Sequence, residues 1–98
     1  MGYKLLASSQ SERDTEKIIQ YYIEIKPRLA KEFLGELKAI RKFIQKNPKK
    51  IQVRYADIRI AFLKKFPVGV HFKIIEDTVM ILSILGTSED SEKWNSLT

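Results

Sequence analysis

The spacing of apolar residues changes once along this chain, at Asn47-Pro48, and that change limits the folds open to it. Before it, Thr15, Ile18, Ile19, Tyr22 and Ile25 form one stripe at helical period, and Leu29, Phe33, Leu37, Ile40 and Ile44 form a second. After it, from Ile51 onward, the period is two. A period near 3.6 buries one side only as a helix, and a period of two buries one side only as a strand. The first half therefore predicts helices and the second half strands.

The first stripe predicts a helix within "SSQSERDTEKIIQYYIEI". Ser9 and Glu12 have capping-box spacing, and Asp14 and Glu16 suit the positive end of the helix dipole. "IKP" breaks the pattern. Pro27 fixes its own dihedral and moves Lys26 out of the α region, while being tolerated in the first turn of a second helix. That helix turns Lys31, Glu32, Lys38 and Lys42 to water and stops at Asn47-Pro48, which makes a tight helical hairpin.

Ahead of the hairpin, "YKLLA" (3–7) reads as a short strand. Behind it, "IQVRY" reads as a short strand or an extended connection. "IRIAFL" (58–63) places Ile58, Ile60 and Phe62 on one face and Arg59, Ala61 and Leu63 on the other. "VGVHFKI" (68–74) places Val68, Val70, Phe72 and Ile74 opposite Gly69, His71 and Lys73. "TVMILSIL" (78–85) is apolar on both faces, which suits a central strand, with Glu76-Asp77 as the hairpin link. Helices grouped ahead of strands predict an α+β fold, with the helical hairpin packed on one face of a mainly antiparallel sheet. The expected covered face carries Ile58, Ile60, Phe62, Val70 and Phe72, leaving Arg59, Gly69, His71 and Lys73 on the other. "SEDSEKWNSLT" is expected to close the chain as a short helix or tail.

A chain of 98 residues suits one domain, taken as 1–98, and one core. Cysteine is absent, which removes disulfides and thiolate metal sites and fits a reducing cytoplasm. One histidine and scattered carboxylates supply no metal-ligand set, and no cofactor motif is present. "MGYKLLASSQ" has no apolar run suited to a signal peptide, and no stretch approaches the ~20 apolar residues of a membrane span. A cytoplasmic protein with no membrane association is the expectation.

The net charge of +6 is unevenly spread. Residues 38–73 hold eleven basic side chains against one acidic, whereas residues 74–98 hold one basic against five acidic. Such a block is the footprint of a polyanionic or acidic partner, or else a solvated lysine surface. Lys49, Lys50, Arg54, Arg59, Lys64, Lys65 and Lys73 are the candidate phosphate- or target-binding residues.

In sequence order the chain resembles the RelE/ParE superfamily of bacterial toxins, most closely its ParE-like, plasmid-stabilisation branch. The resemblance runs from "YKLLASSQSERDTEKIIQYY" through "AKEFLGELKAIRKFIQKNPKK" and "IRIAFLKKFPVGVHFKI" to "VMILSILGTSEDSEKW". Its most specific pieces are the "NP" after the second helix, the arginine-bearing strand leading into "KKFP", and a closing "W". The resemblance implies the toxin of a type II toxin–antitoxin pair, neutralised by a cognate antitoxin within a hetero-oligomer. ParE-like relatives inhibit growth by acting on DNA gyrase. RelE-like relatives cut messenger RNA on the ribosome with Lys, Arg and a C-terminal Tyr or His.

This chain departs from the ribonuclease pattern. Where relatives write "FPYRI" it has Phe66-Pro67-Val68-Gly69-Val70, so Gly69 replaces an Arg. Where relatives write "HxxR" it has Gly86-Thr87-Ser88-Glu89, and Trp94 is the closing aromatic. Cleavage through the 2′-OH needs proton transfer; the one histidine, His71, is the candidate for it near neutral pH, against the commoner reading of a packed or hydrogen-bonded strand residue. Taken with these departures, the resemblance implies a ParE-like toxin that acts by binding a target such as DNA gyrase. The alternatives are a RelE-type ribonuclease rewired around His71, and a degenerate member that only binds its antitoxin. Trp94 either covers the open sheet face or anchors a partner, and Tyr21 is a second candidate partner contact beside the stripe residue Tyr22.

Overall fold

The structure, a computed structural model, describes residues 2–87. The expected closing helix or tail, Glu89, Asp90, Glu92 and Trp94 lie outside the described residues. The elements are β1 (Lys4–Ala7), α1 (Ser9–Ile25), α2 (Pro27–Lys46), a 3-10 turn (Pro48–Lys50), β2 (Val53–Tyr55), β3 (Ile58–Phe62), β4 (Val68–Ile75) and β5 (Thr78–Gly86). "IQVRY" therefore contributes a real strand. The five strands lie in the order β1-β5-β4-β3-β2, with β5 internal as its two apolar faces required. β1 runs parallel to β5 and the other three pairings are antiparallel. A parallel neighbour needs a crossover rather than a tight turn, and the helical hairpin supplies it.

The core forms where α2 meets the sheet. Phe33, Leu37 and Ile44 of α2 pack with Ala61 and Leu63 beside β3, Val70 and Phe72 of β4, and Val79, Ile81 and Ile84 of β5. Ile18, Ile19 and Tyr22 of α1 close its flank. Ile25, expected in the α1 stripe, is exposed instead, because α1 ends there at the turn into α2.

The phase of β3 is the reverse of the expected one. Ala61 sits opposite Val70 and Arg59 opposite Phe72, so Ala61 and Arg59 share the helix-side face. Ile58, Ile60 and Phe62 belong to the other face. Both faces of this strand are apolar, so alternation alone does not choose between them; the register with β4 does. Arg59 is therefore not on the uncovered side. Its Nη1 donates to the Ile51 carbonyl at 2.6 Å, and it makes no ion pair with Asp57.

The cap of α1 also differs. Ser8, in extended conformation, accepts the Ser11 amide at 3.0 Å through its Oγ and donates to the Leu82 carbonyl at 2.7 Å. Ser9 is already helical, so the Ser9–Glu12 capping box is not formed. Ser8 takes the role because it is the last extended residue after β1 and can serve the helix and β5 together.

Candidate functional site

The loop between β3 and β4 is built to hold its backbone and release its side chains. Phe66 is buried beneath it, edge-on to Tyr22 at 5.0 Å and to Phe33 at 5.7 Å between ring centroids. The Leu63 amide donates to the Val68 carbonyl at 3.0 Å, which closes the loop. From the other side, the Glu36 carboxylate of α2 accepts the amides of Lys64 and of Lys65, the latter at 3.0 Å. Two adjacent N–H groups converging on one carboxylate oxygen make a charge-assisted contact stronger than neutral pairs. With both amides turned inward, the Lys64 and Lys65 side chains stay exposed.

Arg54 of β2 joins this end of the molecule, its guanidinium carbon 5.4 Å from the centroid of the Phe62 ring. Phe62 and Lys64 line one groove against α2. The other basic residues lie elsewhere. Arg59 and Lys73 line a separate cleft with Asp57, and Lys49 and Lys50 sit exposed on the 3-10 turn after α2. So the basic block is not one patch. Its most organised part is Arg54, Lys64 and Lys65. Among the described residues the one ion pair joins the exposed side chains of Lys4 and Asp77 at 3.9 Å, so no basic residue of 38–73 is neutralised by a salt bridge there.

His71 departs from the expectation of a residue on an open face titrating near neutrality. It is fully buried, with Nδ1 2.9 Å from the Tyr55 hydroxyl. Burial pushes its pKa down to about 4 against an opposing pull from the Asp14 charge. An imidazole in this setting stays neutral at pH 7 and is sealed from bulk water. Burial also raises the Tyr55 hydroxyl above its usual value.

Gly69 is explained by space. A Cβ there would lie 2.7 Å from the Ile60 Cγ2 and 3.3 Å from the Phe62 ring. The strand lies beneath those two side chains, and an arginine does not fit this packing without displacing them. Tyr21 is 61% exposed and stands edge-on to Tyr22 at 5.1 Å between ring centroids.

Two carboxylates escaped the sequence reading. Glu36 is one. Asp14 is the other: it is buried rather than solvated at the helix start. The β4–β5 register shifts between His71 and Phe72, so Leu82 is an extra residue in β5. There Asp14 accepts the Ile84 amide at 3.0 Å, the Ser83 hydroxyl, and Gln10 Nε2 at 2.7 Å. Neither role has a local sequence signal, since the partners are about 30 and 70 positions away. Among the described residues no group of three or more His, Asp or Glu side chains assembles to hold a metal ion, and no helix is long and apolar enough to cross a membrane.

No protein-family model matches the chain, and neither does any curated protein sequence. Solved structures do match. A chain of the chromosomal ParDE TA system from P. aeruginosa superposes with a TM-score of 0.77 at 18% identity, covering 86% of this chain and 95% of that one. A chain of the toxin-antitoxin complex RelBE2 from Mycobacterium tuberculosis superposes with a TM-score of 0.59 at 14% identity, covering 88% and 99%. The fold, two helices on a five-stranded mixed sheet, is the one these two toxin–antitoxin chains share with it.

Proposed function

We propose that this chain is the toxin of a type II toxin–antitoxin pair, ParE-like, which inhibits growth by binding its target and is neutralised by a cognate antitoxin. The observation that carries the reading is the loop at Lys64-Lys65. Its backbone is clamped by Glu36 and Phe66, and its cations are exposed and lack salt-bridge partners among the described residues. A surface of this kind holds an anionic partner in fixed register. It supplies no proton transfer, and the one histidine is buried and neutral. The structural neighbours, both from toxin–antitoxin assemblies, support the toxin assignment. DNA gyrase is the proposed target, in the cytoplasm.

The test is growth, messenger RNA integrity and gyrase supercoiling after induction of the chain alone. The expected result is arrest with intact messenger RNA and inhibited supercoiling. The double variant Lys64→Glu, Lys65→Glu should relieve the arrest, because both side chains are exposed and the clamp uses only their backbone amides. Fragmented messenger RNA, with cleavage lost in His71→Ala, would overturn the reading in favour of a ribonuclease. Full toxicity of the double variant would remove this surface from the mechanism.

A further inference from the structure

We propose that the outward face of α2 is a binding surface for duplex DNA, held through its phosphate backbone and without regard to base sequence. The inference goes beyond the toxin–antitoxin reading and does not rest on it. It uses a different side of α2 from the one that meets the loop at Lys64-Lys65.

The first observation is a ladder of cations. Arg28, Lys31, Lys38, Arg41, Lys42 and Lys46 succeed one another along α2 in steps of three or four, with Gly35 standing in the gap between Lys31 and Lys38. Such steps place them on one side of the helix. That side is turned away from Phe33, Leu37 and Ile44, which pack on the sheet. From Arg28 to Lys46 the ladder runs for about 27 Å at ~1.5 Å per residue. The two acids of α2, Glu32 and Glu36, lie one turn apart on the flank that meets the loop after β3. Among the described residues the one ion pair joins Lys4 and Asp77, so none of the six cations is neutralised by a carboxylate.

The second observation is that α2 accepts a cost for this face. Like charges three or four residues apart repel along a helix. The first turn of α2 has no acidic residue, and Arg28 stands there beside the positive end of the dipole. Gly35 is exposed in mid-helix, and a Cβ placed there would meet no packing neighbour within 4 Å. Internal packing therefore does not require a glycine, although glycine weakens a helix interior. A polyanion lying along the face offsets the repulsion and comes closest where the side chain is missing.

The third is a cleft. Lys38, Arg41 and Lys42 line a space of about 430 Å³ with Thr15 of α1 and Leu5 of β1, and no carboxylate is among its lining residues. A cleft lined by one sign of charge concentrates counter-ions.

The character of the face selects the polyanion. Leu34, 42% exposed, is the one large apolar side chain within the ladder, too little for an amphipathic peptide or a membrane surface. No aromatic ring stands in the ladder to stack unpaired bases. The major groove of B-form DNA admits an α-helix, whereas that of A-form RNA is too deep and narrow.

The test is fluorescence anisotropy of the purified full chain with two short DNA duplexes of unrelated sequence, between about 50 and 200 mM salt. The expected result is equal affinity for both. The logarithm of the binding constant should fall with that of salt at a slope of about −4 to −5, the value for roughly five phosphate contacts. Lys38→Ala and Lys42→Ala should each reduce the slope by about 1 and weaken both duplexes alike. The double variant Lys38→Glu, Lys42→Glu should weaken binding roughly thirtyfold or more. Gly35→Glu should weaken it about tenfold with an unchanged far-ultraviolet circular dichroism spectrum, because glutamate is the better helix former. Absence of binding at the lowest salt, or full affinity in the double variant, overturns the proposal. So does a loss that follows Lys64→Glu, Lys65→Glu while the α2 double variant binds fully. Binding of duplex RNA or single strands at least as tight as duplex DNA, or displacement of DNA by polyglutamate or anionic vesicles at equal charge, overturns it as well. Growth arrest and supercoiling are read separately, so the toxin reading stands or falls on its own test.

Discussion

The buried imidazole of His71 makes stability fall on mild acidification, and the size of the effect follows from the structure. The group binds protons with a pKa of about 4 when folded, against 6.5 when unfolded. Between those values the unfolded chain carries a proton that the folded chain refuses, so stability rises with pH across this window. The contribution is complete above pH 6.5 and is lost progressively as pH falls to 4. For this pair of values the loss is about 2 kcal/mol by pH 5 and about 3 kcal/mol by pH 4. That is a large share of the roughly 5–10 kcal/mol that holds a domain of this size together. Urea unfolding at pH 7.5, 6.0 and 5.0 measures it. The same series in His71→Gln should be flat from pH 7.5 to 5.5, at a lower absolute stability because the contact with Tyr55 is altered. His71 is the one histidine in the chain, so its imidazole proton resonances titrate without overlap. A resonance titrating near 6.5, or a wild-type curve parallel to that of His71→Gln, would refute the reasoning and restore His71 as an accessible acid–base group.

Other expectations test the packing on which the site rests. Asp14→Ala leaves the Ile84 amide and Ser83 hydroxyl buried without their acceptor, at a cost of about 3 kcal/mol. Thermal unfolding should drop by roughly 12–20 °C, and a shift under 3 °C would mean that water replaces the carboxylate. Ala56 holds a φ of 47° in the β2–β3 turn, where glycine is unstrained. Ala56→Gly should stabilise by about 0.5 kcal/mol, net of glycine's greater freedom in the unfolded chain, as read from the urea midpoint. Gly69→Ala brings a methyl to 2.7 Å from Ile60 Cγ2 and should cost about 1–3 kcal/mol. The cost should shrink markedly in an Ile60→Ala background, and an equal cost in both backgrounds would rule out that contact.

What the sequence made legible was what local periodicity encodes. The Leu29–Ile44 stripe placed α2, the Pro27 break placed the turn before it, and the two-faced apolar run at 78–85 placed β5 inside the sheet. The phase of β3 was not legible, because Ile58, Ile60 and Phe62 are as apolar as Ala61 and Leu63, and only pairing with β4 separates them. At the site, Lys64 and Lys65 were visible as a charged turn, yet their clamp was not. A glutamate in an amphipathic helix looks the same whether it faces water or caps two amides some 28 positions away. Arg54 and Arg59 looked equivalent in sequence. One stacks openly on Phe62, and the other is tied to a backbone carbonyl on the helix side.

Glu36 and Asp14 share a logic that links this fold to its surface. Each helix contributes one carboxylate, and each meets the sheet where the strand ladder is interrupted. Asp14 takes the amide at the β5 bulge, and Glu36 takes the amides of the loop after β3. Amides released by a bulge or a loop need acceptors. A helix carboxylate meets that need and in doing so fixes the helix against a defined point of the sheet. The Asp14 contact is buried and holds the hairpin in place. The Glu36 contact lies at the surface, so it couples the position of α2 directly to the two lysines and to the groove beside Phe43 and Phe62.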